Sequence, residues 1–286
     1  MKKRLCFPLR YTCTVPAGAH RFAPQWSYRV LAGLAIILLC GGCAVATRQG
    51  SGKVISETRV VRDFDQVEVC CGMKLILTQG DDSQLRLEAD DNMLSEIETI
   101  VSGRQLTVRF RSTFGPFSFR LSQPVTVYLQ MPTIHGVTIT GGGSLTTDNV
   151  KTDRIALEFS GGSQGVLKNL QAQTVDLVTS GGGQTTIDML EVDILDLEVS
   201  GGGRVTLHGG TATNQRVMIG GGSRYDAAAT EGETATLDVS GGGEAKVWVT
   251  ATLHVQASGG SQVEYTGNPT LDQQLSGGSQ VRAVKR

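Results

Sequence analysis

Aromatic residues are scarce in this sequence, and so are the usual signatures of metal centres. Only 5% of the 286 residues are aromatic, which argues against a compact globule built around large rings. The six cysteines include no CxxC pair and no Cys/His spacing typical of zinc. We therefore expect no metal site and no cofactor.

The chain also lacks the positive charge that nucleic-acid binding requires. Six basic residues and no acidic residue precede Cys43. The remaining chain has 20 basic and 27 acidic residues, a net charge of −7. Because a nucleic-acid-binding surface needs a positive stripe to displace counterions, we expect no nucleic-acid partner.

Residues 1–43 have the features of a signal peptide. An uncharged run, VLAGLAIILLCGGC, covers Val30 to Cys43. It is short for a membrane-spanning helix of about 20 residues but suits the apolar region of a secretory signal. Two glycines before Cys43 resemble a bacterial lipobox, although Cys40 stands where leucine is usual. We expect Cys43 to be lipidated; ordinary signal cleavage and an uncleaved anchor are the alternatives.

The residues after Cys43 bear on localisation. The residues directly after Cys43 are Ala44 and Val45, so no aspartate follows the cysteine. By the usual sorting rule for such lipoproteins, this favours the outer membrane. We expect an exported protein of the outer membrane or the periplasm-facing envelope, with the membrane as partner through the lipid anchor. Residues 44–52 are predicted to be a short polar tether.

Glycine-rich turns recur with a fixed period in the C-terminal half. Successive turns begin 20 residues apart five times and 18 residues apart twice, and they hold 21 of the 37 glycines. They are TGGG at 140–143, SGGS at 160–163, SGGG at 180–183, SGGG at 200–203, GGGS at 220–223, SGGG at 240–243, SGGS at 258–261 and SGGS at 276–279. A flexible linker would not keep such a period, and 40% hydrophobic residues suffice for a core.

The segments between the turns alternate apolar and polar residues with a period of two, which is typical of strands with one buried face. Reading back from each turn gives three inward columns: Phe159, Thr179, Val199, Ile219, Val239, Ala257; then Leu157, Leu177, Leu197, Val217, Leu237, Val255; then Ile155, Val175, Leu195, Gln215, Ala235, Leu253. Stacked coils place each column over itself, and glycines supply corners with positive φ. We therefore predict an all-β fold, a β-helix (β-solenoid) with coils of about 20 residues and Gly-rich turns, over residues 140–286.

Residues 53–139 are predicted to be less regular strands of the same domain. A single helical turn is expected after Asn92, with that residue as its cap. The run at 112–122 holds Phe114, Phe117 and Phe119. We interpret it as a plug over the open end of the solenoid, the alternative being an aromatic contact loop for sugars or a partner.

The adjacent Cys70 and Cys71 allow two interpretations. They could form a vicinal disulfide in an oxidising compartment. The preferred interpretation is two small residues at a turn, without a bond.

The order of these segments is similar to that of a known bacterial family. The leader is followed by RDFDQVEVCCGMKLILTQGD at 62–81, LEADDNMLSEIETIVSGRQLTVRF at 87–110, PVTVYLQMPTIHGVTITGGGS at 124–144 and the SGGG turns. This resembles the putative autotransporter adhesin family with a head GIN domain, over about residues 62–284. The resemblance implies a right-handed β-helix related in shape to pectin lyases, and an adhesive role without catalytic residues. Cys70-Cys71 departs from the Ser or Gly common in members.

Outward acidic residues also stack in columns: Asp176 with Asp196, and Glu158 with Glu198 and Asp238. We interpret them as a solvated face, the alternative being a calcium or other cation patch. A lyase also needs a base near its acids, and the matching columns offer only Arg216 and His254.

Other reactive residue types do not converge either. His135, His208 and His254 fall on different columns. The serines before the turns (Ser160, Ser180, Ser200, Ser240) have no paired His or Asp. We therefore expect no catalytic residues and a non-enzymatic envelope protein, an adhesion or binding scaffold for glycan or protein. A carbohydrate-active β-helix lyase or hydrolase and a purely structural envelope lipoprotein are the alternatives; neither ligand-binding residues nor oligomeric state follow from the sequence.

The lipobox-like sequence predicts how the protein is processed. Cys43→Ser removes the thiol that would carry the lipid, so we expect this variant to leave the membrane fraction as an unlipidated precursor or a soluble form. Cell fractionation and mass spectrometry of the mature N-terminus measure this, with Cys13→Ser as the control. A mature N-terminus at another residue, without acyl groups, would contradict the prediction.

Overall fold

A computed structural model describes residues 48–111 and 119–285, and almost all of them lie in strands or turns. These residues form one compact unit. A 3-10 helix, Leu94–Glu96, is the one helical turn of the described part. The N-terminal strands are β1 Arg48–Gln49, β2 Val54–Arg59, β3 Gln66–Val69, β4 Lys74–Gln79, β5 Gln84–Asp90, β6 Ile97–Ser102, β7 Gln105–Phe110, β8 Phe119–Arg120 and β9 Thr126–Met131.

The repeats form the predicted β-solenoid, with about seven coils of about 20 residues. Their strands are β10 Gly136–Ile139, β11 Ser144–Lys151, β12 Arg154–Phe159, β13 Gln164–Thr179, β14 Gln184–Val199, β15 Arg204–Leu207, β16 Gly210–Ile219, β17 Arg224–Val239, β18 Glu244–Ala257, β19 Gln262–Thr266, β20 Thr270–Leu275 and β21 Gln280–Ala283. Each pairs in parallel with the equivalent segment of the next coil. The three predicted columns are confirmed, because Leu157 aligns with Leu177 and Leu197 and all three are buried.

Each coil has three faces separated by corners. Between β13 and β14 the ladder of paired residues covers 164–167, 169–172 and 174–179, with breaks at 168 and 173. The third corner is the glycine turn. Side chains of alternate residues therefore fill a narrow interior from three sides, and they are mostly aliphatic.

The glycine turns have the expected backbone. In the turn after β13, Gly181 and Gly182 have φ of 60° and 83°, and Gly183 N donates to Ser180 O at 3.1 Å. Two consecutive positive φ values with this bond define a type I′ turn, in which a side chain is strained. A Cβ at Gly201 would also lie 2.9 Å from Gly181 N of the coil below. We call the second and third residues of the eight turns the glycine corner.

The fourth residue of each turn points inward, which explains why it is either glycine or serine. A Cβ at Gly183 would lie 3.0 Å from Phe159 O of an adjacent coil. At two of the four positions that hold serine, the hydroxyl donates to the equivalent carbonyl: Ser163 Oγ to Ile139 O at 3.0 Å and Ser261 Oγ to Val239 O at 3.1 Å. Ser223 Oγ and Ser279 Oγ donate to the first residue of their own turn, at 2.7 and 2.8 Å. The buried hydroxyl thus has a partner, as a polar group in a core requires.

Two polar residues interrupt the three inward columns: Thr179, whose hydroxyl bonds that of Thr185 at 3.0 Å, and Gln215. Gln215 is buried, and Tyr225 from the next coil donates its hydroxyl to Gln215 Oε1 at 2.9 Å. Burial raises the pKa of Tyr225, with a smaller contribution from Asp226. The tyrosine therefore stays protonated and keeps this bond, which satisfies a buried amide.

The N-terminal region extends the stack and then closes it. β3 and β4 pair in parallel with β10 and β11, and β7 and β9 pair with β3 and β4. Beyond them, β6 is antiparallel to β7 and β5 to β9, and β2 is antiparallel to β5. The change of direction ends the parallel stack.

Two local expectations differ from the structure. The helical turn exists, but Asn92 does not cap it; its side chain binds Ser51 N at 3.0 Å and Gln49 O at 2.9 Å instead. Residues 48–52, expected to belong to a tether, are held to the domain, since Gly52 N also donates to Asp90 Oδ1 at 2.9 Å. A buried carboxylate fixes this part of the chain.

Some of the sequence predictions concern residues outside the described ranges. The signal peptide, Cys43 and the proposed plug at Phe114 and Phe117 lie outside the described residues. Among the described residues, no helix has the length and apolar character to cross a membrane.

The glycine corner yields a stability prediction with a matched control. Gly201→Ala should destabilise the protein by about 1–3 kcal/mol, because it places a Cβ at φ 65° and against the backbone below. Gly222→Ala should be close to neutral, since Gly222 has no positive φ and open space around a Cβ. Urea unfolding of both variants measures the difference. Equal losses would show that corner geometry does not set the stability.

Candidate functional site

A regular surface lies on the strand segments that precede the glycine turns. Seven of them, in β12, β13, β14, β16, β17, β18 and β20, align in register. Each presents three outward side chains, and we call these 21 positions the ladder face. With strands about 4.8 Å apart and about 3.3 Å per residue, the face measures about 29 by 13 Å.

Acidic residues on the ladder face differ in their partners. Asp176 is bound by Arg154, with Nε and Nη2 at 3.0 and 2.8 Å from one carboxylate oxygen. By contrast, Glu158, Asp196, Glu198 and Asp238 form no ion pair with another described residue. These four carboxylates are free to meet a ligand.

The acids do not gather into a cation site. Glu158 and Glu198 are separated by Val178, and Glu198 and Asp238 by Met218. Acids two coils apart are about 9.6 Å from each other, too far to share an ion. Asp176 and Asp196 lie on neighbouring coils, but Arg154 already binds Asp176. Within residues 48–111 and 119–285, no three His, Cys, Asp or Glu side chains are arranged to hold a metal.

Large apolar side chains lie between these carboxylates. Val178, Ile194 and Met218 are 36%, 44% and 48% exposed. The ladder face thus combines carboxylates, threonine hydroxyls and apolar side chains on a flat sheet. Its area of about 380 Å² is about half of the ~800 Å² that each partner contributes to a standard interface, so one copy should bind weakly.

The three histidines among the described residues each pair with a separate aspartate. His135 Nδ1 lies 2.7 Å from Asp65, His208 Nδ1 3.0 Å from Asp188, and His254 Nδ1 3.2 Å from Asp272. A hydrolytic triad would also need a hydroxyl or thiol on the other ring nitrogen, and in the described part none of these rings bonds to one. The serines that begin the turns have a structural role. The backbone carbonyls Ser180 O and Ser200 O accept hydrogen bonds from the backbone N–H of the fourth turn residue.

A concavity lies at the N-terminal end. It is a cleft of about 770 Å³ between residues 58–65, residues 81–84, Arg104 and Pro132–Thr133. Buried Asp65 lies in its wall, where Arg104 Nε donates to Oδ2 at 2.8 Å and His135 approaches the same oxygen. Oδ1 is buried without a partner among the described residues. Sequence analysis missed this cluster, because a single acid in RDFDQ gives no periodic signal.

Asp65 joins three chain segments. Besides the side-chain bonds, Asp65 N donates to Arg104 O at 3.0 Å and His135 N donates to Asp65 O at 2.8 Å. Burial by itself would raise the pKa of Asp65, but the hydrogen bonds and charges of Arg104 and His135 together outweigh it, so the pKa lies below its ordinary value. The ionised carboxylate therefore stabilises the N-terminal end.

The cysteine pair corrects a sequence expectation. Cys70 and Cys71 lie at a turn as expected, but they are joined by a disulfide. The preference for two unbonded residues was wrong. Sequence reasoning could not decide between the two, because neighbouring cysteines are compatible with either state.

The chain is similar to a known protein family and to several solved structures. The sequence profile of the family described as "Putative auto-transporter adhesin, head GIN domain" matches residues 63–269. No curated protein shows significant similarity to the chain.

Several solved structures share the fold. A putative adhesin from Parabacteroides distasonis has 20% identity and a TM-score of 0.74, with 82% of this chain and 99% of that chain covered. A putative adhesin from Parabacteroides merdae has 18% identity and a TM-score of 0.74, covering 84% and 99%. A putative lipid binding protein from P. distasonis has 17% identity and a TM-score of 0.69, covering 83% and 99%. At these identities the likeness concerns the fold alone.

The depressed pKa of Asp65 predicts an acid-sensitive contribution to stability. Because the folded-state pKa lies below its ordinary value of 3.8, the ionised group stabilises the fold above about pH 4, and this stabilisation is lost as the pH falls through the folded pKa. Asp65→Asn should therefore lower the free energy of unfolding by the largest amount at neutral pH, and the difference from wild type should shrink towards pH 3. Urea unfolding across this range tests it, with exposed Asp193→Asn as control. A difference that stays constant or grows on acidification would refute the assignment.

Proposed function

The chain belongs to the family of putative auto-transporter adhesins with a head GIN domain, and from this premise we propose that it is a non-enzymatic cell-envelope protein whose solenoid serves as a binding scaffold in adhesion. The observation that carries the proposal is the ladder face. It is flat, in register over seven strands, and offers unpaired carboxylates beside exposed apolar side chains. Glycan or protein is the partner class we propose.

The geometry favours many weak contacts over one tight site. Each coil adds one more row of three side chains at about 4.8 Å, so a long partner meets similar chemistry at each step. Low affinity per copy becomes strong attachment when many copies act together, because linked contacts raise the effective concentration. Adhesion needs this kind of avidity rather than an enclosed pocket.

A carbohydrate-active enzyme is less well supported. General acid–base chemistry needs two groups within reach of one substrate atom, with environments that separate their pKa values. The ladder-face carboxylates lie on an exposed sheet without such burial. Asp65 is buried, but Arg104 and His135 hold it as a charged structural group.

The solved relative named as a lipid binding protein does not favour lipid binding here. Its likeness concerns the fold, and the inward columns of this chain are filled by aliphatic side chains such as Leu177 and Leu197. We propose instead that a lipid on Cys43 attaches the protein to the membrane. Because such a lipid anchor would hold the protein at a membrane, we also propose a location in the cell envelope.

The ladder face can be tested with two variants of equal charge change. The ladder variant carries Glu158→Gln, Glu198→Gln and Asp238→Asn. The control carries Asp193→Asn, Glu231→Gln and Glu233→Gln, which are exposed carboxylates outside the ladder face. Beads coated with each protein are applied to panels of immobilised glycans and proteins. We expect ladder-variant beads to be retained several-fold less than wild type, and control beads to be retained like wild type.

The same proteins discriminate the alternatives. Equal retention of ladder and control variants would remove the ladder face from the proposal. Turnover of any polysaccharide by wild type that the ladder variant abolishes would make the acidic columns an active site and would overturn the non-enzymatic assignment.

A further inference from the structure

The turn between β3 and β4 continues the glycine corner by one step. Because β3 pairs with β10 and β4 with β11, residues 70–73 lie in register with the turn at 140–143. Cys71 has φ 68° and Gly72 has φ 76°, close to the 65° and 80° of Gly141 and Gly142. A Cβ at Gly141 would lie 3.1 Å from Cys71 N, so the two turns are directly stacked.

Cys71 therefore occupies a column that is otherwise glycine. The equivalent residue of all eight later turns is glycine with positive φ: Gly141, Gly161, Gly181, Gly201, Gly221, Gly241, Gly259 and Gly277. A residue with a side chain is disfavoured at such φ. Something must hold Cys71 there, and the disulfide to Cys70 is the covalent restraint at this position.

The hydrogen bonds of this turn are longer than those of the repeats. Met73 N lies 3.5 Å from Cys70 O, whereas Gly183 N lies 3.1 Å from Ser180 O. Cys70 N lies 3.4 Å from Val108 O, whereas Ser180 N lies 2.9 Å from Phe159 O. Longer bonds hold less strongly, so this turn depends on its disulfide more than a glycine turn depends on any single contact.

The pair is also accessible. Cys71 is exposed and Cys70 is half-buried, while Met73 points into the core. A reductant can thus reach the disulfide from solvent without unfolding the coil. Thiol–disulfide exchange depends on this access, since a thiolate must attack one sulfur directly.

We propose that Cys70–Cys71 is a redox-active site of this protein, cleaved by dithiol reductants, and that its cleavage loosens the first turn of the stack. One thiolate of the dithiol attacks the Cys71 sulfur, breaks the bond to Cys70 and forms a mixed disulfide. The second thiol of the reductant then displaces Cys71. Two electrons pass to the protein, which gains two thiols, and the reductant leaves as a disulfide.

Reduction would act on the neighbouring coil through two backbone bonds. Ser144 N donates to Met73 O at 3.0 Å, and Thr140 N donates to Val69 O at 3.1 Å. When Cys71 relaxes from positive φ, Met73 O moves and the amide of Ser144 loses its partner. The reduced state should therefore be more open at residues 70–74 and 140–144 than elsewhere.

Cys71→Gly gives a matched control, because it restores the residue that every later turn has and cannot form the disulfide. Wild type and variants are treated with dithiothreitol under native conditions. Peptide mapping counts maleimide labels on residues 70 and 71, and hydrogen exchange follows residues 70–74 and 140–144. In wild type we expect two labels after reduction and a several-fold faster exchange in both segments. Cys71→Gly should exchange like oxidised wild type with or without reductant, and Cys70→Ser/Cys71→Ser should exchange like reduced wild type.

Three results would overturn the proposal. Labelling of both cysteines before reduction would show that no disulfide exists. Labelling that requires denaturation would show that the site is not accessible to reductants. Unchanged exchange after complete reduction would show that the bond is an inert staple without effect on the turn.

Discussion

The architecture depends on a corner that the backbone must turn with positive φ once in every coil. Glycine accepts this conformation with little steric cost, and the stacked corners approach so closely that a Cβ would meet backbone of the coil below. Because seven of the eight turns have the same two consecutive positive φ values, strands of successive coils stay in register. The parallel ladders and the inward columns follow from that register. A change of corner geometry would shift all three faces of a coil together.

Register divides the side chains into two groups with different constraints. Inward positions must fill a narrow interior, so most of them are aliphatic, and the buried amide of Gln215 needs a dedicated partner in Tyr225. Outward positions have no such requirement, and there the chain varies from Asp176 to Val178 to Arg216. The ladder face can therefore change its chemistry without changing the fold. This separation suits a scaffold whose binding surface must adapt to a partner.

The N-terminal end terminates a stack of coils that would otherwise continue to repeat. It does so with antiparallel strands and with buried polar contacts. Asp65 ties Arg104 and His135 together, and Asp90 accepts from Gly52 N and Ser122 N. In the same region Cys71, which a disulfide joins to Cys70, occupies the position that is glycine in every later turn. The regular coils rely on many equivalent contacts, whereas this end relies on a few specific ones.

The sequence by itself determined the coil length, the glycine corner and the identity of the inward residues such as Leu157, Leu177 and Leu197. Stacking in register makes residues about 20 apart in sequence neighbours in space, so the contacts leave a visible period. Family membership also followed from segment order. Only the tertiary structure decided which carboxylates are paired, that residues 48–52 are bound to the domain, and that Cys70 and Cys71 are bonded. The Asp65 cluster joins residues 39 and 70 positions apart, and a contact that occurs once leaves no periodic trace in a sequence.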